Sequence, residues 1–143
     1  NTRSRGLGDV YKRQALAGLV AITAEPLTPG PITAMFIGSI GAIIMYFGTK
    51  MLESYGLDDV VGAIPVHMFA GIFGTLVVPL TNSDTSFGTQ FIGTASVCIF
   101  SFGLSWITFT LLKSTIGLRI SKAAEKLGTD KAEVGVTAYS IRD

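Results

Sequence analysis

The chain reads as an all-α membrane protein, and three observations lead there. Of its 143 residues, 48% are hydrophobic and 15% charged. The charges also avoid the middle. Between Gln14 and Leu118 the charged side chains are only Glu25, Lys50, Glu53, Asp58, Asp59, Asp84 and Lys113. What remains are four uncharged stretches, Gln14–Ala24, Pro31–Thr49, Val60–Ser83 and Thr85–Leu112. A helix rising about 1.5 Å per residue needs roughly 20 apolar residues to cross the hydrocarbon core of a bilayer. Three of the four stretches meet or nearly meet that length, so the expectation is three complete transmembrane helices plus part of a fourth.

Composition excludes several other classes. The net charge is +1 and the basic residues form no patch, so no nucleic-acid partner is expected. The single Cys98 rules out a disulfide framework within the chain and a cysteine-rich metal site. No basic head, apolar stretch and small-residue cleavage site mark a secretory signal. A Gly-rich phosphate loop, a Walker lysine, an HExxH helix and a nucleophile elbow are all missing. The chain therefore reads as having no metal or cofactor site and no enzymatic activity.

The elements follow in order. Residues 1–14 (NTRSRGLGDVYKRQ) are polar without an apolar period, and they abut ALAGLVAITA with no cap between. GDVYKRQ here and SIRD at the other end resemble translated library adaptors, so 1–14 and 140–143 are expected to be non-native; a genuine basic juxtamembrane segment is the alternative. Ala15–Ala24 reads as the later half of a membrane helix, stopped at Glu25–Pro31 by three prolines and a glycine. The first complete span is expected over about Ile32–Leu52, with Gly56 in the left-handed position after its end. A second span, about Val61–Leu80, leads to a polar loop, Thr81–Ser86. The third, about Phe87–Ile116, exceeds the core thickness and should tilt or bend, most readily at Gly103.

Orientation comes from the basic residues. The loops at Glu25–Pro31 and Thr81–Ser86 carry no Lys or Arg, whereas the other side receives Lys50, Lys113, Arg119, Lys122, Lys126 and Lys131. By the positive-inside rule the C-terminal tail is cytoplasmic. Within that tail Ser121 caps a short helix, Lys122–Leu127, which Gly128 ends; a second short turn follows from Thr129.

His67, the only histidine, lies about a third of the way into the second span. Ionisable side chains inside a bilayer are costly and usually face the bundle interior or a water-filled path. Neutral imidazole offers one donor and one acceptor, so it passes a proton or receives a polar solute without holding charge. At α-helical spacing His67 shares a stripe with Gly71, Gly74 and Val78, which leaves room for another helix or a narrow pore. A histidine that merely packs between helices, or one that ligates haem, remains an alternative. Pro65 is an internal kink if the helix starts near Asp59 and a first-turn residue if it starts at Ile64. Asp58 and Asp59 read mainly as an N-cap and favourable charge at the start of this span, ahead of a cation site. Ala34, Gly38 and Ala42 mark a helix-contact face on the first span, and Phe69 and Phe73 read as facing lipid or a neighbour.

The run from Leu57 to Thr75, LDDVVGAIPVHMFAGIFGT, resembles the late membrane helix of the ammonium transporter family (Amt/Mep/Rh). Ala17–Thr23 (AGLVAIT) agrees, as does the tail, with GLRIS at 117–121, LGTD at 127–130, and Ala138-Tyr139. The resemblance covers about Ala15–Tyr139.

What the resemblance implies is a fragment of an eleven-helix bundle: residues 15–117 as the end of helix eight with helices nine to eleven, and 118–139 as the cytoplasmic tail. His67 would be one of the family's paired pore histidines, in a membrane protein of the cell or inner membrane that conducts ammonia derived from ammonium for nitrogen uptake. Asp58, Asp59, Pro65, Gly71 and Gly74 would support the pore helix, and Gly117, Arg119 and Tyr139 would serve the tail or a subunit contact. A homotrimer, a PII-type signal protein as partner, and inactivity of the piece alone belong to the same expectation. The chain departs from the family pattern at Met68, where glycine is common, at Gly62, which is acidic in some relatives, and at Val134 and Val136 around Gly135. These departures touch the tail's regulation more than the pore.

Overall fold

The computed structural model describes residues 7–136, and every regular element among them is helical. They are α1 (Leu7–Ile22), α2 (Pro31–Ser54), α3 (Ile64–Leu80), α4 (Phe87–Thr115) and α5 (Lys122–Leu127), followed by a π turn at Asp130–Val134. Two compact units divide between Cys98 and Ile99, inside α4.

In the first unit, α1 starts at Leu7, well before the expected Ala15. Extending a nucleated helix costs far less than starting one, so polar residues ahead of Ala15 are carried into it. Arg13 adds a contact, its guanidinium donating to the Val60 carbonyl at 2.5 Å. After α1 the prolines of the Glu25–Pro31 loop prevent continuation, and Pro31 then opens α2, where its missing N–H costs nothing. The far end of α2 closes as expected on Gly56 at φ 69°, with Leu57 N–H on Leu52 O and Gly56 N–H on Glu53 O, both at 3.0 Å. That pairing is a Schellman closure, and only glycine takes its left-handed position without strain.

Three helical types make up α3. A π turn at Ile64–Phe69 leads into α-helix at Ala70–Val77 and a 3-10 turn at Val78–Leu80. Pro65 sits in its first turn, so of the two readings of this proline the unkinked one holds. The π turn also corrects the expected stripe. Gly74 and Val78 are buried and Gly71 is half-buried, yet His67 is exposed. Each π-type bond widens the turn by one residue, so residues before it are rotated relative to those after it.

α1 lies against both α2 and α3, around a core of Ala17, Met45, Val66 and Ala70 with Val20 beside it. The buried face of α2 is Ile37, Gly41, Met45, Gly48 and Leu52, beside the expected Ala34–Gly38–Ala42 row. Ala34, Gly38 and Ala42 are only half-buried at its flank, where Gly38 meets the backbone of Gly18. Small residues set these distances: a Cβ on Gly41 would lie 2.6 Å from Ala21 Cβ and 2.9 Å from Ala17 O. A Cβ on Gly74 would run into the Ala21 carbonyl. At one end of the unit Asn82 Nδ2 donates to Glu25 Oε2 at 2.8 Å, joining the two loops expected to share a side. That hydrogen bond holds the Glu25 carboxyl below its ordinary range.

Among the described residues, two helices are long and apolar enough to cross a membrane by themselves: α2 with 24 residues and α4 with 29. They measure ~36 and ~44 Å against a hydrocarbon core of about 30 Å. α3 runs to about 25 Å at the α-helical rise, because it starts only at Ile64 and closes on the 3-10 turn around Pro79. α4 runs through Gly103 without interruption, and none of its residues is buried.

The second unit contains the tail, which matches expectation. Ser121 Oγ accepts from Ala124 N–H at 3.2 Å to cap α5, and Gly128 at φ 98° ends it. Asp130–Val134 follows as a single turn closed by Gly135.

The Gly74–Ala21 contact yields a prediction. Gly74→Val in the intact membrane protein is expected to lower stability by about 1–3 kcal/mol through overpacking. Thermal melting in detergent checks this; an unchanged midpoint would mean that α1 and α3 do not approach there.

Candidate functional site

The loop before α3 orders the segment that carries His67. Asp59 places both carboxylate oxygens on the helix start: Oδ1 accepts from Ala63 N–H at 2.9 Å and Oδ2 from Ile64 N–H at 2.7 Å. Its backbone carbonyl accepts from Gly62 N–H at 3.2 Å. These bonds satisfy donors that an opening helix turn leaves without partners, and the negative charge sits where the helix dipole is positive. Partial burial pushes the Asp59 carboxyl up, but hydrogen bonds from Ile64, Ala63 and Gly62, with the Arg13 charge, outweigh it and hold the group below its ordinary value. The expected N-cap role of the acidic pair therefore falls on Asp59. Asp58 beside it is exposed.

The π turn has two sides. Pro65 and Val66 are buried and Phe69 is half-buried, while Ile64, His67 and Met68 are exposed. Ala70 N–H reaches back to Pro65 O and His67 O, closing the turn. Phe69 lies over Gly48 of α2, the neighbour-facing choice for this ring. His67 is thus exposed on the side of the turn away from Pro65 and Val66.

The other candidates are placed as follows. Gly71 lies 3.7 Å (from its notional Cβ) from Val20 Cγ1, and its carbonyl accepts from Thr75 Oγ1 at 2.9 Å. Gly74 seats α3 on α1. Gly117, at φ 80°, ends α4 where Leu112 O accepts from both Ile116 and Gly117 N–H at 3.0 Å. Arg119 is engaged within its own tail, Nη2 to Glu125 Oε1 at 2.7 Å, which raises its own pKa and lowers that of the glutamate. Tyr139 lies outside the described residues. Gly48 was not among the candidates; its signal is the Gly41–Met45–Gly48 spacing, which the Ala34–Gly38–Ala42 row overshadows.

Asp59 gives a pH prediction. A carboxylate with a lowered native pKa contributes stability in full above its ordinary value of 3.8. That contribution is lost as pH falls through the lower native value. Asp59→Ala is expected to cost about 1 kcal/mol at neutral pH, as cap removals do. It should also flatten the acid limb of the melting temperature against pH, and an acid limb identical to the wild type would remove Asp59 from the cap.

Comparison with known proteins places the sequence in a family. The sequence profile described as the Ammonium Transporter Family matches residues 12–139. An ammonium transporter of Archaeoglobus fulgidus is 37% identical over 146 positions, covering 87% of this chain and 31% of its own length. One from Methanocaldococcus jannaschii is 34% identical, with 87% and 31% covered. The ammonium transporter of Corynebacterium glutamicum is 32% identical, with 88% and 31% covered. The chain thus spans about a third of the length of these relatives. With its two long apolar helices and a profile match over nearly all its residues, this chain belongs to the ammonium transporter family, a family of membrane proteins.

Proposed function

We propose that the chain is the C-terminal part of an ammonium channel or transporter and that His67 lines its pore. The observation that carries this reading is the placement of the only histidine. It stands on the uncovered side of a helix whose other side is packed against α1 and α2. An ammonium ion entering an apolar constriction bare costs several kcal/mol at least. Surrendering its proton before the constriction removes most of that cost. Ammonia then passes as a neutral solute that hydrogen-bonds to imidazole, which donates at one nitrogen and accepts at the other. A partner histidine and the outer site where ammonium is captured come from the rest of the protein, so this part alone does not conduct.

The same reading extends to topology and assembly. The chain supplies the end of one membrane helix and three further ones, α3 spanning with its flanking loops as the tenth of eleven. Lys50 and the tail lysines are cytoplasmic, and the end with Glu25 and Asn82 faces outward. The whole protein is a homotrimer in the cell or inner membrane, serving nitrogen uptake, and its tail receives a PII-type signal protein. Asp58, Asp59, Pro65, Gly71 and Gly74 support the pore helix, while Gly117, Arg119 and Tyr139 serve the tail.

His67→Ala in the intact transporter is expected to reduce ammonium-driven current at least about tenfold, or to convert conduction of ammonia into leakage of ions. Solid-supported membrane electrophysiology on reconstituted protein reads either change. A current unchanged in size and ion selectivity leaves His67 a packing residue and overturns the pore reading. A visible-range haem absorbance in the purified protein would instead favour an axial-ligand role.

A further inference from the structure

We infer that Gly48 of α2 is a positioning residue for His67, acting through the π turn of α3; the inference rests on the pore reading above. Pro65 and Phe69 straddle Gly48. A Cβ placed there would lie 2.6 and 3.0 Å from Cδ2 and Cε2 of the Phe69 ring and 3.2 Å from Pro65 Cβ. Residues four apart in a helix share a face, whereas residues two apart do not. His67 is two residues from each of the pair that grips Gly48. Seating Pro65 and Phe69 on the glycine therefore turns His67 to the opposite side, in accord with a buried Pro65, a half-buried Phe69 and an exposed His67.

The seat is also where α3 yields most readily. The π turn has widened backbone bonding and a proline without an N–H. Any side chain at position 48 pushes first on Phe69 and Pro65, and the turn answers by rotating. Its rotation moves the imidazole. Gly41, on the same face of α2, makes an equally close contact with α1, at Ala17 and Ala21, and meets neither Pro65 nor Phe69; it reaches α3 only by way of Ala21, at Gly74 beyond the π turn.

Four variants of the intact transporter test the assignment: Gly48→Ala, Phe69→Ala, Gly48→Ala with Phe69→Leu, and Gly41→Ala. Each is read for assembled protein in the membrane, ammonium current per assembled protein, and the ratio of ammonium to methylammonium current. Gly48→Ala is expected to lower the current per protein on the order of tenfold, as small misplacements of a working group do, and to shift the ratio. Shrinking the ring in the double variant restores both. Phe69→Ala empties the seat without overpacking and shifts the ratio too, so the test survives if Gly48→Ala fails to assemble. Gly41→Ala reduces the amount assembled and leaves current per protein and ratio as in the wild type. A wild-type ratio in both Gly48→Ala and Phe69→Ala overturns the positioning role, as does a Gly48→Ala pattern matching Gly41→Ala. A wild-type current in His67→Ala overturns the pore reading itself and this inference with it, so the two failures are told apart.

Discussion

Backbone-to-backbone contact between α1 and its two partners is the constraint on which the first unit depends. In hydrocarbon, apolar side chains gain nothing by leaving lipid for protein, so helices associate through close packing and polar contacts. The chain meets this with small residues at the points of closest approach: Gly18 on Gly38, Gly41 on Ala17 and Ala21, and Gly74 on Ala21. Ala21 thus touches both α2 and α3. A larger residue at any of these points strains the pair of helices that meets there.

The close contacts dictate where the larger side chains go. With α1 against the glycine face of α2, Met45 and Val66 fill the core beside Ala17 and Ala70. α3 then meets α1 along Gly74 and α2 at Gly48, two contacts in different directions. A uniform α-helix would place His67 on the side already taken by Gly74 and Val78. The π turn, which itself carries the Gly48 contact, resolves the conflict, because its wider turn lets Pro65 and Phe69 face Gly48 while Gly74 still faces Ala21. Exposure of His67 is thus a consequence of packing on the other side of the same helix.

Much of this was legible in the sequence, for identifiable reasons. Gly56, Ser121 and Gly128 act through their nearest neighbours, so their cap roles could be read from local order alone. The loops at Glu25 and Asn82 were grouped on charge, and a hydrogen bond joins them. Tertiary effects were less accessible. On α2 the Ala34–Gly38–Ala42 row supplies one close contact, Gly38 on Gly18, while the buried face runs through Gly41–Met45–Gly48; the two patterns are comparable in sequence, and only the partner helices rank them. The His67–Gly71–Gly74–Val78 stripe assumed 3.6 residues per turn throughout. Sequence periodicity has no marker for one wide turn, and Pro65, the single hint, fitted two readings.

α3 is held along its length by different kinds of contact. Asp59 fixes its first N–H groups, Gly48 and Ala21 seat its middle, and the Asn82 N–H donates to the Val78 carbonyl of its last turn while the Asn82 side chain bonds Glu25 across the loop. Hydrogen bonds serve at the ends, where polar groups are affordable, and steric contact serves between them, where an unpaired polar group is costly. A single imidazole is then the one polar side chain of its turn and needs no polar neighbour on α3 to hold it. Hydrogen-bond geometry tolerates errors of only a few tenths of an ångström. A histidine on a loop would wander further than that. One carried by a helix seated on glycine and alanine backbone moves only when the helices themselves move.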